Sequence, residues 1–267
     1  MAAREKQQKP TKKTPASAGK RRPAPPAVTT ASPPKLADAQ TTLAIDIGGE
    51  GTKMLVLDPQ GAPINERTRV LTPKPAEPRA LLSLIEHMAS EQPHFARVSC
   101  GFPGVVVHGV VRTAPNLGTE RWQGFPLESA LHEVLKRPVR VMNDADLQGY
   151  GVIRGTGVEL VLTLGTGLGS ALFVDGRLVP NLEFGHHPFR KGRTYEESVS
   201  NAELHRIGRK RWSRRVARAI AQLGPIFNYE TLHLGGGNAR HLTIELPEDV
   251  RLFTNVDGLG GGVRLWQ

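Results

Sequence analysis

The chain has one cysteine, Cys100, in 267 residues, which excludes an internal disulfide framework and any zinc site built on several thiolates. That cysteine sits in the apolar run VSCGFPGVVV, where it reads as a small buried hydrophobe, a nucleophile being the alternative. Long apolar runs are missing too. Nothing approaches the roughly 18 consecutive apolar residues of a membrane-spanning helix, and no apolar segment follows the basic N-terminal residues as in a secretory leader. The expectation is a soluble, cytoplasmic chain with no membrane partner. Acidic side chains are scarce, 25 against 35 Lys and Arg, for a formal charge of +10. Nine Lys or Arg against Glu5 and Asp38 put +7 on residues 1–38 and leave +3 for the remainder. This segment lacks aromatics and is rich in Pro, Ala and Lys, so it buries too little surface to offset its ordering entropy and is expected to be a disordered tail. A solubilising extension, a cationic arm that captures a polyanion by counterion release, and an organelle transit peptide are its three readings.

Glycine is abundant, with 29 residues, and its placement is the most informative feature. LAIDIGGEGTKMLVLDPQG (43–61) and LVLTLGTGLGSALFVDG (160–176) share one plan: an apolar strand, a turn of glycines and threonine, a second apolar strand, then Asp and another turn. A dinucleotide or P-loop glycine run must open a helix, whereas β-compatible residues follow here, Met54–Leu57 and Ala171–Val174, and no GxxxxGK[ST] exists. Two glycine-cornered hairpins predict two α/β lobes facing one cleft, each offering converging backbone N–H groups to an anion. Between them the pattern gives a helix over 79–90, a strand over 98–101, a hairpin over 104–114, a helix over 127–135, a strand over 140–144 and a helix from Ala145. Beyond, residues 196–223 read as mostly helical, 231–237 as a strand ending on a third glycine turn, and 254–267 as a glycine-weakened helix. The expected organisation is a tail over 1–38, an N-terminal α/β lobe over 39–142, and a C-terminal α/β lobe over 143–249, with 250–267 packing back on the first.

The hairpins, with GFPGVV (101–106), APNLG and Trp122 with Gly124, NDAD (143–146), EFGH (183–186) and LGGG (234–237), resemble the ROK sugar kinases of the actin-like ATPase superfamily. Within that family the chain is most similar to the polyphosphate glucokinases. The resemblance covers about 43–263 and implies a two-lobed actin-like (ribonuclease H-like) α/β fold with the active site between lobes. It implies phosphoryl transfer from inorganic polyphosphate, ATP or both to the 6-hydroxyl of glucose, with Mg²⁺. Asp144 matches the general base and Asn143 would orient the sugar; out of context, Asn143 and Asp144 read equally as a helix N-cap. Glu183 and His186 match the sugar-gripping ExGH, Glu196 or Glu197 a further sugar carboxylate, and Asn116 a contact from the other lobe. Asp46, Gly48, Gly49, Thr52, Lys53, Gly165, Thr166, Gly167 and Gly169 would surround the phosphates. Gly235, Gly236 and Gly237 would lie by the nucleotide base or the further end of the donor. Many ROK kinases hold zinc through one His and three Cys after ExGH. Here GHHPFRKGRTYEES has no cysteine, so no zinc is expected and packing must hold that segment.

This sequence departs from the family at three places. Glu50 stands where the family usually has Ser or Thr; in a phosphate turn it must point away, pair with Lys53 or reach phosphate through Mg²⁺. HPFRKGRTYEES replaces a more acidic segment of small residues, and the last helix has Asp257 and extra glycines. RIGRKRWSRRVAR (206–218) has seven basic residues and no acid. Trp212, Val216, Ala219, Ile220 and Leu223 form an apolar stripe that leaves Arg211, Arg214, Arg215 and Arg218 outside. That face is either merely solvated or a track for polyphosphate leaving the cleft. The alternatives to a glucokinase are an ATP-dependent kinase for mannose or fructose and a sugar-binding or regulatory ROK protein with impaired turnover. The first 38 residues show no apolar helical periodicity, which argues against a DNA-reading helix-turn-helix and a specific nucleic-acid partner. Related kinases often form dimers, so a homodimer joins the sugar and the donor among the expected partners.

Overall fold

The computed structural model describes residues 40–267; the expected tail lies outside the described residues. The first glycine hairpin is β1 (Thr42–Ile47) and β2 (Gly51–Leu57), antiparallel, extended by β3 (Thr68–Leu71). On its other side β1 pairs in parallel with β4 (Arg97–Phe102), which pairs in parallel with β7 (Val139–Asn143). The sheet order is therefore β3-β2-β1-β4-β7. Every residue of β1 is buried, as expected of a central strand covered on both faces, whereas three of the four residues of the edge strand β3 are exposed. A two-residue pair, β5 (Val106–Val107) and β6 (Val110–Val111), is what the 104–114 hairpin becomes.

The second sheet repeats the scheme. β8 (Val158–Leu164) and β9 (Leu168–Val174) form the hairpin, β10 (Arg177–Val179) extends it, and β13 (Thr231–Gly235) and β14 (Val250–Leu252) follow in parallel, after the small pair β11 (Pro188–Arg190) and β12 (Arg193–Thr194). Its order is β10-β9-β8-β13-β14.

Helices cover the sheets by their apolar stripes. In α1 (Pro78–Ser90), Pro78 opens the first turn, where its missing N–H costs nothing, and Leu81, Ile85, Met88 and Ala89 face the first core. Short α2 (Thr119–Trp122) sets Trp122, fully buried, against Phe102 with ring centroids 5.0 Å apart, and α3 (Leu127–Leu135) adds Leu127 and Leu131. The helical region near 196–223 is three helices: α5 (Tyr195–Val199), α6 (Asn201–Ile207) and α7 (Arg209–Phe227). Ser200 caps α6 through its hydroxyl, and Gly208, at φ 77, breaks α6 from α7 with a backbone that other residues rarely adopt. The expected α7 stripe is buried, and Trp212 Nε1 donates to Val199 O at 2.8 Å.

Between the sheets runs α4 (Asp144–Val152). The C-terminal stretch crosses it as α8 (Asn255–Leu259) and a 3₁₀ segment, Gly260–Trp266. The glycines there are needed for contact rather than for flexibility. A Cβ on Gly261 would come within 2.2 Å of Leu147 O, and one on Gly151 within 2.3 Å of Asp257 O. This stretch also meets the first sheet: Ser99 Oγ donates to Gly262 O at 2.6 Å and accepts from Trp266 Nε1 at 2.8 Å. Among the described residues no helix is long and apolar enough to cross a membrane.

Candidate active site

The two glycine turns open onto one cleft of about 480 Å³. They lie opposite each other, with the Cβ position of Gly49 3.9 Å from the Thr166 methyl and 3.1 Å from Asn116 Cβ. The first turn is braced from behind, where Thr72 Oγ1 donates to Gly48 O at 2.6 Å. The second leans on a carboxylate from α5: Leu168 N donates to Glu196 Oε2 at 3.1 Å, and a Cβ on Gly167 would collide with that carboxylate. Glu197 closes the α5 capping box with Thr194 and does not line the cleft, so Glu196 is the carboxylate that α5 presents.

At the centre, β7 ends and α4 begins. Asn143 is the N-cap, accepting from Ala145 N at 2.8 Å and Asp146 N at 3.1 Å, while its amide donates to Gly104 O at 3.2 Å and Glu183 Oε1 at 3.3 Å. Its hydrogen bonds are spent inside the protein, so what it orients directly is Glu183. Asp144, the first residue of α4, accepts from Ala145 N at 2.9 Å. Burial, then the Asp46 charge and in smaller part Glu183, hold its carboxyl well above the ordinary range, against the Ala145 N–H and Lys53. Glu183 is also raised, by burial and by Glu196, against the pull of His186, whose Nε2 stands 3.5 Å from Glu183 Oε2. Lys53 does not pair with Glu50: its ammonium is 2.7 Å from Asp46 Oδ2, on the neighbouring strand in direct register. Glu50 itself is exposed at the cleft.

Most residues singled out from sequence line this cleft: Asp46, Gly48, Gly49, Lys53, Asn116, Asn143, Asp144, Gly165, Thr166, Gly167, Gly169, Glu183, His186, Glu196, Gly236 and Gly237. Three expectations need correction. Thr52 is fully buried, its hydroxyl 3.4 Å from that of Thr72, because the pleat alternates and it is Lys53 that faces the cleft. Gly235 is inside β13 with the Phe253 ring packed on it. Arg215 is half-buried rather than outside: with Arg193, 3.1 Å away, and Arg206, 2.6 Å away, it pairs with the buried Glu203, whose pKa these arginines, Arg206 first, pull down to about 2 against its burial. Arg211, Arg214 and Arg218 are exposed on α7 and line no part of the cleft.

The Glu203 cluster also bears on the cysteine-free segment after EFGH. Arg193 ties β12 to α6, and Phe184, Phe189 and Tyr195 pack with centroids 4.4 to 4.6 Å apart, so an ion-pair cluster adds to the expected packing. Among the described residues no group of three His, Cys, Asp or Glu is placed to hold a metal ion. Sequence reasoning missed Arg67, Arg69 and Arg240, which also line the cleft. Arg69 is on β3 in direct register with Lys53 of β2, and Arg67 lies one residue before that strand.

Residues 42–191 match the profile of the ROK family. A polyphosphate glucokinase of Mycobacterium tuberculosis (strain ATCC 25618 / H37Rv) is 33% identical over 205 residues, 73% of this chain and 77% of that protein. One from Mycobacterium leprae (strain TN) is 32% identical over 212 residues, 76% of this chain but 65% of that protein, so the chain spans just under two thirds of its length. The crystal structure of the inorganic polyphosphate/ATP-glucomannokinase of Arthrobacter sp. strain KM matches with a TM-score of 0.75 and 31% identity, covering 85% of this chain and 99% of that one. A ROK glucokinase from Streptomyces griseus, solved with glucose and AMPPNP, shares the fold with a TM-score of 0.70 at 20% identity over 83% of this chain and 98% of that one. The fold is the two-lobed actin-like one, and the chain belongs to the ROK family.

Proposed function

We propose that the protein is a hexose kinase that moves a phosphoryl group from inorganic polyphosphate, ATP or both to the 6-hydroxyl of glucose, with Asp144 as general base. The observation that carries this reading is the position of Asp144. Its carboxylate starts α4 where the acids Glu183 and Glu196 meet the two glycine turns, in surroundings whose burial and acidic neighbours raise its pKa and so its strength as a base. Similarity to polyphosphate glucokinases and to a polyphosphate/ATP-glucomannokinase supports the sugar and the donor class.

In this reading Glu183, His186, Glu196 and Asn116 hold sugar hydroxyls, and Asn143 acts through Glu183. Asp144 takes the hydroxyl proton as the oxygen attacks, while the turn N–H groups and Lys53 face the transferred phosphoryl, whose transition state asks for positioning and charge stabilisation rather than covalent help. Asp46, a buried carboxylate at the edge of the first glycine turn and close enough to raise the Asp144 pKa, suits Mg²⁺, which takes one or two carboxylates together with donor phosphates, and leaves Asp144 free as the base. When bound it would spread the charge developing on the phosphoryl oxygens.

One observation favours a second reading, a sugar-binding protein without turnover: Glu50 stands at the phosphate turn with no ion-pair partner among the described residues. Phosphorylation assays with glucose, mannose and fructose, each against ATP and polyphosphate, decide between them. The kinase reading expects turnover with glucose and a fall in kcat of about 10²- to 10⁴-fold in Asp144→Ala. Full activity in that variant would remove Asp144 as the base, and glucose binding without turnover on either donor would establish the second reading.

A further inference from the structure

Near Glu183 the two halves are joined by side-chain amides. Asn181 follows β10; its Oδ1 accepts from Val106 N and its Nδ2 donates to Val106 O, both at 3.2 Å. It offers β5 the paired donor and acceptor that a neighbouring strand would offer. Val106 has both groups to spare because Val111, opposite it, spends its own N–H on Phe125 O and its C=O on Gly124 N. The Asn181 N–H donates to Asp146 Oδ2 at 3.1 Å, Asp146 N donates to Asn143 Oδ1 at 3.1 Å, and Asn143 Nδ2 donates to Gly104 O at 3.2 Å. Gly104 and Val106 belong to one rim of the first half, fixed there by Arg112 N to Val105 O at 2.8 Å and Val105 N to Thr113 Oγ1 at 3.1 Å. These bonds close a ring that runs from the rim to Asn181, to α4, to Asn143 and back to the rim.

We infer that Asn181 is a positioning residue for the sugar: it clasps the segment carrying Glu183 to the Gly104–Val106 rim, so that glucose affinity depends on a bridge that touches no sugar. This rests on the reading above, in which Glu183 of the second half and Asn116 of the first both hold hydroxyls. Asn181 does not line the cleft, whereas Glu183, two residues on, does. Ser170 of β9 fixes Glu183 to its own half, since its Oγ donates to Leu182 O at 2.5 Å and accepts from Phe184 N at 3.2 Å. What Ser170 leaves unset is the distance from Glu183 to the first half, and the ring sets it. Asn143 Nδ2, which bonds the rim, also donates to Glu183 Oε1 at 3.3 Å, so the carboxylate is tied to the ring through its side chain and through the main chain. A sugar gripped from both halves binds more tightly when their spacing is fixed before it arrives, because ordering them then costs nothing at the moment of binding. By linkage, bound sugar must tighten the clasp as much as the clasp tightens the sugar.

The test uses the full chain and the variant Asn181→Gly. Asn181 has φ 59, in the left-handed region that glycine also adopts, so this change removes the clasp and keeps the backbone. Calorimetry with glucose alone, which needs no turnover, should give a Kd about 10-fold higher in the variant, the equivalent of two hydrogen bonds of ordinary net worth. In phosphorylation assays the glucose KM should rise with it, while kcat at saturating glucose and the KM for the donor stay near the wild-type values. Hydrogen exchange at the Val106 amide is the second measurement: glucose should slow it in the wild type, and Asn181→Gly should speed it and abolish the effect of glucose. A role in stability alone would lower the melting temperature and leave the glucose Kd and KM unchanged, and that result would overturn the inference with the kinase reading intact. Exchange at Val106 that is the same in both proteins would overturn it too. A Kd that rises in the variant, with no turnover on any donor in either protein, would keep the clasp and remove the kinase. Wild-type protein that binds neither glucose nor another hexose would remove the sugar site, and the inference with it.

Discussion

The two sheets have the same strand order and the same pairing directions, yet their hairpins carry different chemistry. At the register position next to the last pair before the turn, the first hairpin has Asp46 opposite Lys53, and the second has Thr163 opposite Gly169. The first turn holds Glu50 of its own, whereas the second has the neutral Thr166 and borrows Glu196 from α5. A repeated backbone thus supplies a glycine turn to the cleft twice, and the side chains at equivalent positions decide which half holds charge. Asp144 sits where the two meet, and Asp46 and Lys53 pull its pKa in opposite directions.

The strongest way to break this asymmetry is Lys53→Met, which leaves the buried Asp46 carboxylate without its cation. Losing one partner of such a pair is costly, and we expect kcat to fall on the order of 10²-fold. The acid limb of the kcat/KM profile should move to higher pH, because Lys53 is one of the groups holding the Asp144 pKa down. An unshifted limb in a pH–rate series would show that the limb reports another group.

The next largest effect is at the joint between the halves. Asp146, on α4, accepts from Asn181 N at 3.1 Å with one oxygen and leaves the other buried without a partner, and the Asn181 side chain pairs with the Val106 backbone of the first half. Burial, aided by Glu183 and opposed by the Asn181 N–H, raises the Asp146 carboxyl from 3.8 to about 7. The folded state therefore keeps a proton that the unfolded chain gives up, so this contribution is fully present below the unfolded value and is lost as pH rises through about 7. Asp146→Asn should melt increasingly above wild type as pH is raised from 5 to 8; a constant difference across that range would contradict the shift.

A smaller loss is expected from Glu203→Gln, which removes the charge that gathers Arg193, Arg206 and Arg215. Because these arginines are partly exposed, the cost should be about 2 kcal/mol, below the roughly 3–5 kcal/mol of a fully buried broken pair. It should appear as a lowered melting temperature and a raised KM for glucose, since Arg193 precedes the cap of α5 that carries Glu196.

How much of this was readable in the sequence varied with the physics involved. The hairpins and the α7 stripe were legible because apolar runs and helical spacing report burial directly. The faces near the turns were not: Thr52 and Lys53 are neighbours in the same motif, and the pleat sends one behind the sheet and the other into the cleft. Glu196 and Glu197 could have been told apart, since Thr194 with Glu197 three residues on is a capping-box signature. Arg215 was misjudged because its partner, Glu203, lies outside the acid-free run and reaches it only through the packing of α6 on α7.

The smallest effect bears most directly on the two turns. Glu50 and Thr166 are the side chains that the two turns bring to the cleft, one charged and one neutral. With Lys53 bound to Asp46, the Glu50 charge opposes a polyanionic donor, and at about 8 Å with an effective dielectric near 20 that repulsion is about 2 kcal/mol before screening. Solvent and salt reduce it at an exposed side chain, so Glu50→Thr should lower the KM for the donor by about 3-fold, and the reciprocal Thr166→Glu should raise it. Glucose KM should stay fixed in both, because the acids proposed to face the sugar come from α4, α5 and the segment after β10. If Glu50→Thr instead raises the donor KM, the carboxylate is helping to hold the donor, and the first turn differs from the second by an added contact rather than by an added penalty.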